Sequence, residues 1–294
     1  MKKINNKVLV SGADYFNDGF AINELMDSSI AVDLEKAKQE HNDILKAFTK
    51  AGIEVLKVDP PESCQDGIYT ANWALVRNGK AIMARLPNVR KPEESYAKEQ
   101  LKMLGIETLE LPEDIKSFSG QGDALVVDNI VFTQYPYRTD KKAHPYLKSL
   151  LGIEKVVVLH TLPAKNFLGF PKKNKITGWP DSPTYDIDLA LAIIKPADGD
   201  SKPLIAYCPD VFDAESQRTL EAMKEVDKIK VSKKEALESF ALNLVSTGEH
   251  VIMNANAPEF KGSLEKNGLK ITELRLPELQ KGGGSIRCTS LALS

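Results

Sequence analysis

Two hydrophobic periods alternate along the chain. Short apolar runs bounded by turn residues predict strands, and Lys7–Ser11 is the first of these runs. Between such runs, apolar residues recur every three or four positions, which is the helical spacing. The first helical stretch begins at Asp33 and stops at Gly52, and the strand Ile53–Val58 follows it. The pattern predicts a mixed α/β protein.

The same order of elements then recurs. Between Gly67 and Leu111 the pattern predicts a strand, a hairpin at Asn78-Gly79, a returning strand, a helix and a closing strand. Further copies begin near residues 122, 186 and 243. A last copy is divided, with its first strand at 288–293 and its other elements at 7–58. The sequence therefore predicts a single domain, 1–294, of five ββαβ modules in a ring closed by the two termini.

One polar residue stands at the same place in every module, directly before the first strand. These residues are Asn72, Asp123, Asp188, Asn243 and Cys288. One interpretation is chance, because strands often begin after a polar residue. The other is that five side chains converge on a central pit and face a small polar ligand.

Composition narrows the class of protein. The chain has 294 residues with 39 basic and 41 acidic side chains, a balance that argues against a nucleic-acid partner. The first six residues are too polar for a signal peptide, and no apolar run is long enough to span a membrane. Cys64, Cys208 and Cys288 are far apart, without a Cys-x-x-Cys motif. We expect a cytoplasmic protein with free thiols and no metal, cofactor or membrane partner; the oligomeric state stays open, with a homodimer as one option.

Three motifs carry a resemblance to a known superfamily. They are DGIYTANW at 66–73, FSGQGD at 118–123 and GGGSIRC at 282–288. With them the sequence resembles the guanidino-group-modifying (amidinotransferase/arginine deiminase) superfamily, whose fold is called the pentein or α/β propeller. Within that superfamily it looks like dimethylarginine dimethylaminohydrolase-like proteins.

The resemblance implies thiol chemistry on an amidine carbon. The Cys288 thiolate attacks a guanidino or ureido carbon, an amine leaves, and water or an acceptor amine resolves the covalent intermediate. Arg287 either lowers the pKa of the thiol or holds a substrate carboxylate, whereas Asp66 binds a substrate amine or caps its loop.

The implied catalytic residues are Cys288, Asp186 and Asp123, and the implied substrate-binding residues are Asp66, Asn72, Asp188, Asn243, Arg287 and Arg90. For Arg90 an ion pair with Glu93 or Glu94 is the alternative.

The third module departs from the family pattern. The family usually opens it with His-x-Asp, where the histidine is the general acid and base, but this chain has Asp186-Ile187-Asp188. The glutamate that partners the histidine falls at Ser119 if Gln121 is an insertion. Because two close carboxylates resist ionising together, we hypothesise that Asp186 shares a proton with Asp188 or Asp123. The alternative is that Asp186 only orders the site and catalysis is lost.

The other histidines are weak candidates to replace the missing general acid and base. His160 ends a predicted strand and is the one candidate on a module edge, while His41 and His144 are predicted on helix or loop surfaces. The sequence thus predicts a metal-free cysteine hydrolase of a guanidino or ureido small molecule. An inactive binding protein of the same fold and an amidinotransferase are the alternatives. Asn72 stands where many members have an acid, which favours a ureido group or a substituted guanidine.

Overall fold

Five three-stranded sheets follow one another along residues 3–293, the part of the chain that this computed structural model describes. In every sheet the first strand is antiparallel to the middle strand, and the third strand is parallel to it. The sheets, each given from first to third strand, are β3 (Ala74–Arg77), β4 (Lys80–Met83) and β5 (Glu107–Leu109); β6 (Ala124–Val127), β7 (Ile130–Gln134) and β8 (Lys155–Leu159); β9 (Leu191–Lys195), β10 (Leu204–Tyr207) and β11 (Asp227–Lys230); β12 (Val245–Ser246), β13 (His250–Asn254) and β14 (Lys270–Leu274); and β15 (Leu291–Ala292), β1 (Lys7–Val10) and β2 (Glu54–Lys57).

A helix connects the two parallel strands of each sheet, as parallel pairing requires. These connecting helices are α1 (Leu34–Lys50), α2 (Lys91–Met103), α3 (His144–Leu151), α4 (Ala214–Ala222) and α6 (Pro258–Lys266), and the shorter helices α5 (Lys233–Glu238) and α7 (Pro277–Gln280) lie between modules. The architecture is mixed α/β, as predicted. None of the helices within residues 3–293 has both the length and the apolar character that crossing a bilayer requires.

The two ends of the chain share one sheet. Strand β15 pairs antiparallel with β1, with Leu9 opposite Leu291, and β1 pairs parallel with β2. This is the divided module that the sequence predicts. Leu291 is fully buried and packs in one apolar cluster with Leu9 and Trp73. The last strand is therefore part of the core.

Local signals explain where several elements begin and turn. The Asp33 carboxylate accepts a hydrogen bond from the backbone of Lys36 and caps α1. Asn78 and Gly79 both have positive φ, of 51° and 74°, as the predicted hairpin turn between β3 and β4 requires.

The starts of the modules differ in part from prediction. Of the five polar residues, only Asp123 stands directly before its strand, β6, and short 3₁₀ turns hold two of the others. Asn72 lies in the turn Thr70–Trp73 and Asp188 in the turn Ile187–Leu189, so β9 starts at Leu191 rather than at 186. Such tight turns rotate consecutive side chains by about a third of a circle, which directs single polar residues inward.

Two histidines are buried, contrary to the surface positions that the sequence predicts. His41 lies on the buried stripe of α1 with Ala37, Ile44 and Phe48, a spacing of three and four residues that the sequence analysis did not extend to it. Burial lowers the pKa of His41 to about 4. His144, at the start of α3, is buried too, and burial also lowers its pKa.

We expect Leu291→Ala to lower the free energy of unfolding by about 2–5 kcal/mol, since the change removes buried methyl groups and leaves a cavity. Urea unfolding measures this cost. The control is Leu104→Ala, at a residue 40% exposed after α2, for which we expect a change within about 0.5 kcal/mol. Equal losses in the two variants would contradict a structural role for β15.

Candidate active site

The glycine segment before Cys288 is held in place by side chains from distant parts of the chain. Tyr185 donates a hydrogen bond to the carbonyl of Gly283 at 2.7 Å, and Asn23 donates to the carbonyl of Gly282 at 3.2 Å. A Cβ atom on Gly282 would lie 2.1 Å from the Tyr69 hydroxyl oxygen. The glycines therefore serve close packing, and the segment is not a loose loop.

Asn243 fixes the segment that carries the thiol. Its Oδ1 accepts hydrogen bonds from the backbone nitrogens of Ser285 and Arg287, each at 3.1 Å, and of Cys288 at 3.3 Å. Its Nδ2 lies 3.1 Å from the Cys288 sulfur. The amide predicted to face a substrate instead holds the nucleophile segment.

The Cys288 thiol is buried beside a carboxylate. Its Sγ donates to Asp188 Oδ2 at 3.2 Å. Burial, and then the charges of Asp188 and Asp186, raise the pKa of Cys288 well above that of an ordinary thiol. The thiol is accordingly protonated near neutral pH when no cation is bound.

Asp186 is held by an amide and a hydroxyl. Its Oδ2 accepts from Asn72 Nδ2 at 2.8 Å and from Ser119 Oγ at 3.3 Å. Its Oδ1 is buried without a hydrogen-bond partner among residues 3–293. The position that the family fills with histidine thus has a carboxyl group with one oxygen unoccupied.

Three carboxyl groups share this buried region. Asp123 Oδ1 accepts from the backbone of Ile187 at 3.1 Å, and its Oδ2 accepts from the Thr139 hydroxyl. Burial, followed by the charge of Asp186, raises the pKa of both Asp123 and Asp188 well above the usual range, and burial raises the pKa of Asp186 as well. The three groups therefore hold at least one proton between them at neutral pH.

Arg90 makes the ion pair anticipated as its alternative role and also contacts the site. Its Nη2 lies 2.7 Å from Glu93 Oε2, and both side chains are buried. Its Nη1 donates to Asn72 Oδ1 at 3.0 Å. A continuous polar chain consequently runs from Glu93 through Arg90 and Asn72 to Asp186.

One small cavity is lined by several of the predicted site residues. These are Asp66, Asn72, Arg90, Asp186 and Cys288. Its volume is about 20 Å³, room for about one water molecule, so a guanidino compound enters only if the lining moves.

The remaining predicted residues do not line this cavity. Asp123 and Asn243 lie behind it. Asp188 and Arg287 line a second cavity of about 70 Å³, and Arg287 Nη2 donates to Gln121 Oε1 at 2.9 Å. Although Arg287 is adjacent to the cysteine in sequence, its guanidinium points away from the cavity that Cys288 lines.

Arg138 is a lining residue that the sequence analysis missed. Its guanidinium carbon lies 4.8 Å from the ring centroid of Tyr185 and 5.7 Å from that of Trp179. It donates one hydrogen bond to the carbonyl of Ile22, and its Nε has no partner among the described residues. The available signal was an arginine soon after a returning strand, as Arg90 is in the preceding module, although not at an equivalent position.

Asp66 is the most isolated carboxyl group of the cavity. It is buried, and neither oxygen has a hydrogen-bond partner within residues 3–293. Burial raises its pKa to about 6, although the charge of Arg90 opposes this shift.

No other histidine replaces the one expected at position 186. The His160 side chain is half exposed and lies 3.7 Å from Asp213, outside the cavity. Among the described residues there is also no group of histidine, cysteine and acidic side chains arranged to hold a metal ion.

The raised pKa of Asp66 predicts a pH effect on stability. The folded protein binds the Asp66 proton more tightly than the unfolded chain does, because the pKa of this carboxyl group is near 3.8 when unfolded. The resulting stabilisation is present below about pH 4 and is lost as the pH rises through about 6. We expect wild type to lose roughly 3 kcal/mol of unfolding free energy relative to Asp66→Asn over this interval. Urea unfolding at several pH values measures it.

The control is Asp114→Asn. Asp114 is exposed, and its hydrogen bond to Lys142 lowers its pKa, so this variant has no reason to show the same trend. A difference between wild type and Asp66→Asn that does not change with pH would contradict the assigned environment of Asp66.

Comparisons with known proteins identify relatives of this chain. The family model for N,N-dimethylarginine dimethylhydrolase, eukaryotic, matches residues 15–168. The N(G),N(G)-dimethylarginine dimethylaminohydrolase of Mycobacterium tuberculosis is 29% identical over 283 residues, which are 95% of this chain and 83% of that protein. The bifunctional arginine dihydrolase/ornithine cyclodeaminase ArgZ of Synechocystis is 27% identical over 98% of this chain, but the match spans only 38% of ArgZ.

Solved structures extend the likeness to the fold. The product-bound N-terminal domain of ArgZ superposes with a TM-score of 0.83 at 26% identity, covering 100% of this chain and 98% of that one. A dimethylarginine dimethylaminohydrolase adduct with S-methyl-L-thiocitrulline gives a TM-score of 0.72 at 18% identity, covering 98% and 99%, and supports the fold alone. Because the family model covers more than half of the sequence, this chain belongs to the N,N-dimethylarginine dimethylhydrolase family, with the mixed α/β fold of the pentein proteins.

Proposed function

We propose that this protein is a cysteine-dependent hydrolase that cleaves a C–N bond in the guanidino or ureido group of an arginine-like small molecule. One observation carries the proposal: the Cys288 thiol shares a buried cavity with carboxylate oxygens of Asp186 and Asp66 that lack partners among the described residues. Buried, unpaired acceptors are costly unless a ligand supplies donors, and a guanidinium or an ammonium does so. The named activities of the relatives, on dimethylarginine and arginine, point the same way.

Each end of such a substrate has a suitable group. Asp66 suits its ammonium, because both carboxylate oxygens are available. The guanidinium of Arg138, steadied by Tyr185 and Trp179, suits its carboxylate. Asp186 faces the guanidino or ureido head. Arg90 is engaged by Glu93, so its part is to position Asn72.

Substrate binding activates the thiol. A bound guanidinium brings positive charge beside Cys288 and lowers the pKa that burial and the carboxylates have raised. The proton passes from Sγ to Asp188 Oδ2, the acceptor 3.2 Å away. The thiolate then adds to the central carbon: a C–S bond forms as the π electrons of that carbon's double bond move onto its nitrogen or oxygen, and they return when the leaving group departs.

The carboxyl pair completes the reaction. Asp186, sharing a proton with Asp123, protonates the leaving nitrogen, and the C–N bond breaks with release of an amine or ammonia. The remaining intermediate is covalently held by sulfur. The carboxylate left behind takes a proton from water as that water attacks the same carbon, and the C–S bond breaks to restore the thiol.

The finer architecture belongs to the same proposal. We infer that the five sheets form one domain closed as an α/β propeller. In support, β15 contacts β3, β6 contacts β9, β9 contacts β12, and α1 contacts β14, so each contact joins neighbouring modules. The three free, buried thiols fit a cytoplasmic location, and a homodimer is the oligomer we would test first.

Two alternatives are distinguished by experiment. An inactive binding protein of the same fold would explain the missing histidine, but the named activities of the relatives favour a hydrolase. An amidinotransferase would pass the carbon to an amine instead of water, so product analysis with and without an added amine separates the two.

We expect wild type to release an amine or ammonia from one member of a panel containing L-arginine, dimethylarginine and ureido analogues. Cys288→Ser should lose on the order of 10³-fold or more in turnover, because no thiolate forms. Amine assay and intact mass spectrometry of a trapped adduct provide the readouts. Cys64→Ser, at another buried thiol, is the control and should keep its activity. Release without any Cys288 adduct, at equal rates in both variants, would sink the assignment.

The second functional prediction concerns the proton donor. Asp186→Asn should lower kcat by about 10²–10⁴-fold with a smaller change in KM, since an amide cannot transfer the proton. In wild type, kcat should fall as the pH rises above the raised pKa of the carboxyl pair, because the acid is then ionised. Asp114→Asn, at an exposed carboxylate, should not change either parameter. Unchanged turnover in Asp186→Asn would contradict the proposal.

A further inference from the structure

A hairpin outside the repeated modules stands between β8 and the third sheet, at residues 163–181. It is ordered by backbone hydrogen bonds, from Ala164 N to Asp181 O at 2.9 Å and from Lys172 N to Ala164 O at 2.8 Å. The hairpin is therefore a built projection with a defined tip.

The tip holds large apolar side chains in solvent. Asn166 Oδ1 accepts from the backbone nitrogens of Leu168 and Phe170, each at 3.0 Å, which fixes the turn. Phe167 is 94% exposed, and Leu168 and Phe170 are each 64% exposed. A single exposed apolar residue is ordinary, but a contiguous ordered group of this kind marks an interaction surface.

The charge around the tip has one sign. Residues 163–181 contain four lysines and a single acidic residue, Asp181, which is buried. Lys172 pairs with Glu24 at 2.6 Å. Lys165, Lys173 and Lys175 form no ion pair with any residue of the described chain. An apolar tip surrounded by unpaired cations suits a partner that is apolar inside and anionic at its surface.

We propose that this hairpin docks on an anionic lipid surface. Because Phe167 is almost fully exposed at the tip, burying it needs a surface that deforms around it, as the boundary between headgroups and acyl chains does. Phe167, Leu168 and Phe170 would enter that boundary while the lysine ammonium groups stay among anionic headgroups. The lack of a long apolar run in the sequence underlies the expectation of no membrane partner, but docking at the surface requires no such run.

The base of the hairpin is braced against the active-site wall. Asn174 donates to the carbonyl of Ala21 at 3.2 Å, and the pair of Lys172 with Glu24 ties the hairpin to the segment that carries Ile22 and Asn23, which line the cavity. Trp179 lines the cavity as well. Docking would thus hold this wall of the cavity close to the lipid surface.

The test is sedimentation of the full chain with vesicles of phosphatidylcholine alone or with added phosphatidylglycerol. We expect binding to the anionic vesicles that weakens as salt rises. Phe167→Ser with Phe170→Ser, and separately Lys165→Gln with Lys173→Gln and Lys175→Gln, should each weaken binding by about tenfold or more. The control is Met103→Ser, which removes an apolar side chain 66% exposed elsewhere and should bind like wild type.

Circular dichroism verifies that all variants keep the fold, and no readout depends on catalysis, so a failed hydrolase proposal leaves this test intact. Absence of binding to both vesicle types, or equal losses in Met103→Ser and the tip variant, would overturn the proposal. A concentration-dependent dimer in ultracentrifugation that the tip substitutions abolish, without vesicle binding, would assign the tip to a second copy of the chain instead.

Discussion

The buried contact between the Cys288 thiol and the carboxyl group of Asp188, under the added charge of Asp186, is the constraint around which the site is arranged. Carboxylates removed from water resist ionisation, and each raises the pKa of its neighbours and of the thiol. The free protein therefore has a protonated nucleophile and at least one protonated acid. In the proposed mechanism a cationic substrate would reverse this balance, because its charge stabilises the thiolate and the carboxylates together. Reactivity would in this way be tied to the presence of the substrate.

The polar side chains of the site can lie this close together only because the backbone packs tightly against them at the starts of the modules. A Cβ atom on Gly122 would lie 2.3 Å from Asn72 Nδ2 and 2.7 Å from Asp186 Oδ2. Gly120 has a φ of 56°, and a Cβ there would meet backbone atoms of Ala74. The FSGQGD motif thus supplies room for the polar cluster as well as Asp123. Asn243 does the corresponding work on the opposite side, where its amide gathers the backbone nitrogens of the cysteine segment.

If Asp186 and Ser119 stand where the family pattern has a histidine and a glutamate, the exchange is physically coherent. The two side chains lie within hydrogen-bond distance of each other, with the Ser119 hydroxyl donating to Asp186. A histidine needs an acceptor to orient it, whereas a carboxylate needs donors, and Ser119 and Asn72 are donors. The asparagine at 72 also fits this exchange, since a third acid there would add repulsion to a site that already holds Asp123, Asp186 and Asp188.

Local sequence signals determined the mixed α/β modules, the Asn78-Gly79 turn, the cap at Asp33 and the alignment of Asn72, Asp123, Asp188, Asn243 and Cys288. These features depend on neighbours within a few residues, so periodicity and turn chemistry predict them. Only the tertiary structure decided which of these side chains share a cavity. It turned Arg287 away from the cavity of Cys288, gave Asn243 to the cysteine segment, and brought in Arg138 between Tyr185 and Trp179. Such choices depend on contacts between residues tens to hundreds of positions apart, and the direction of a side chain across a module boundary leaves no trace in the spacing of its neighbours.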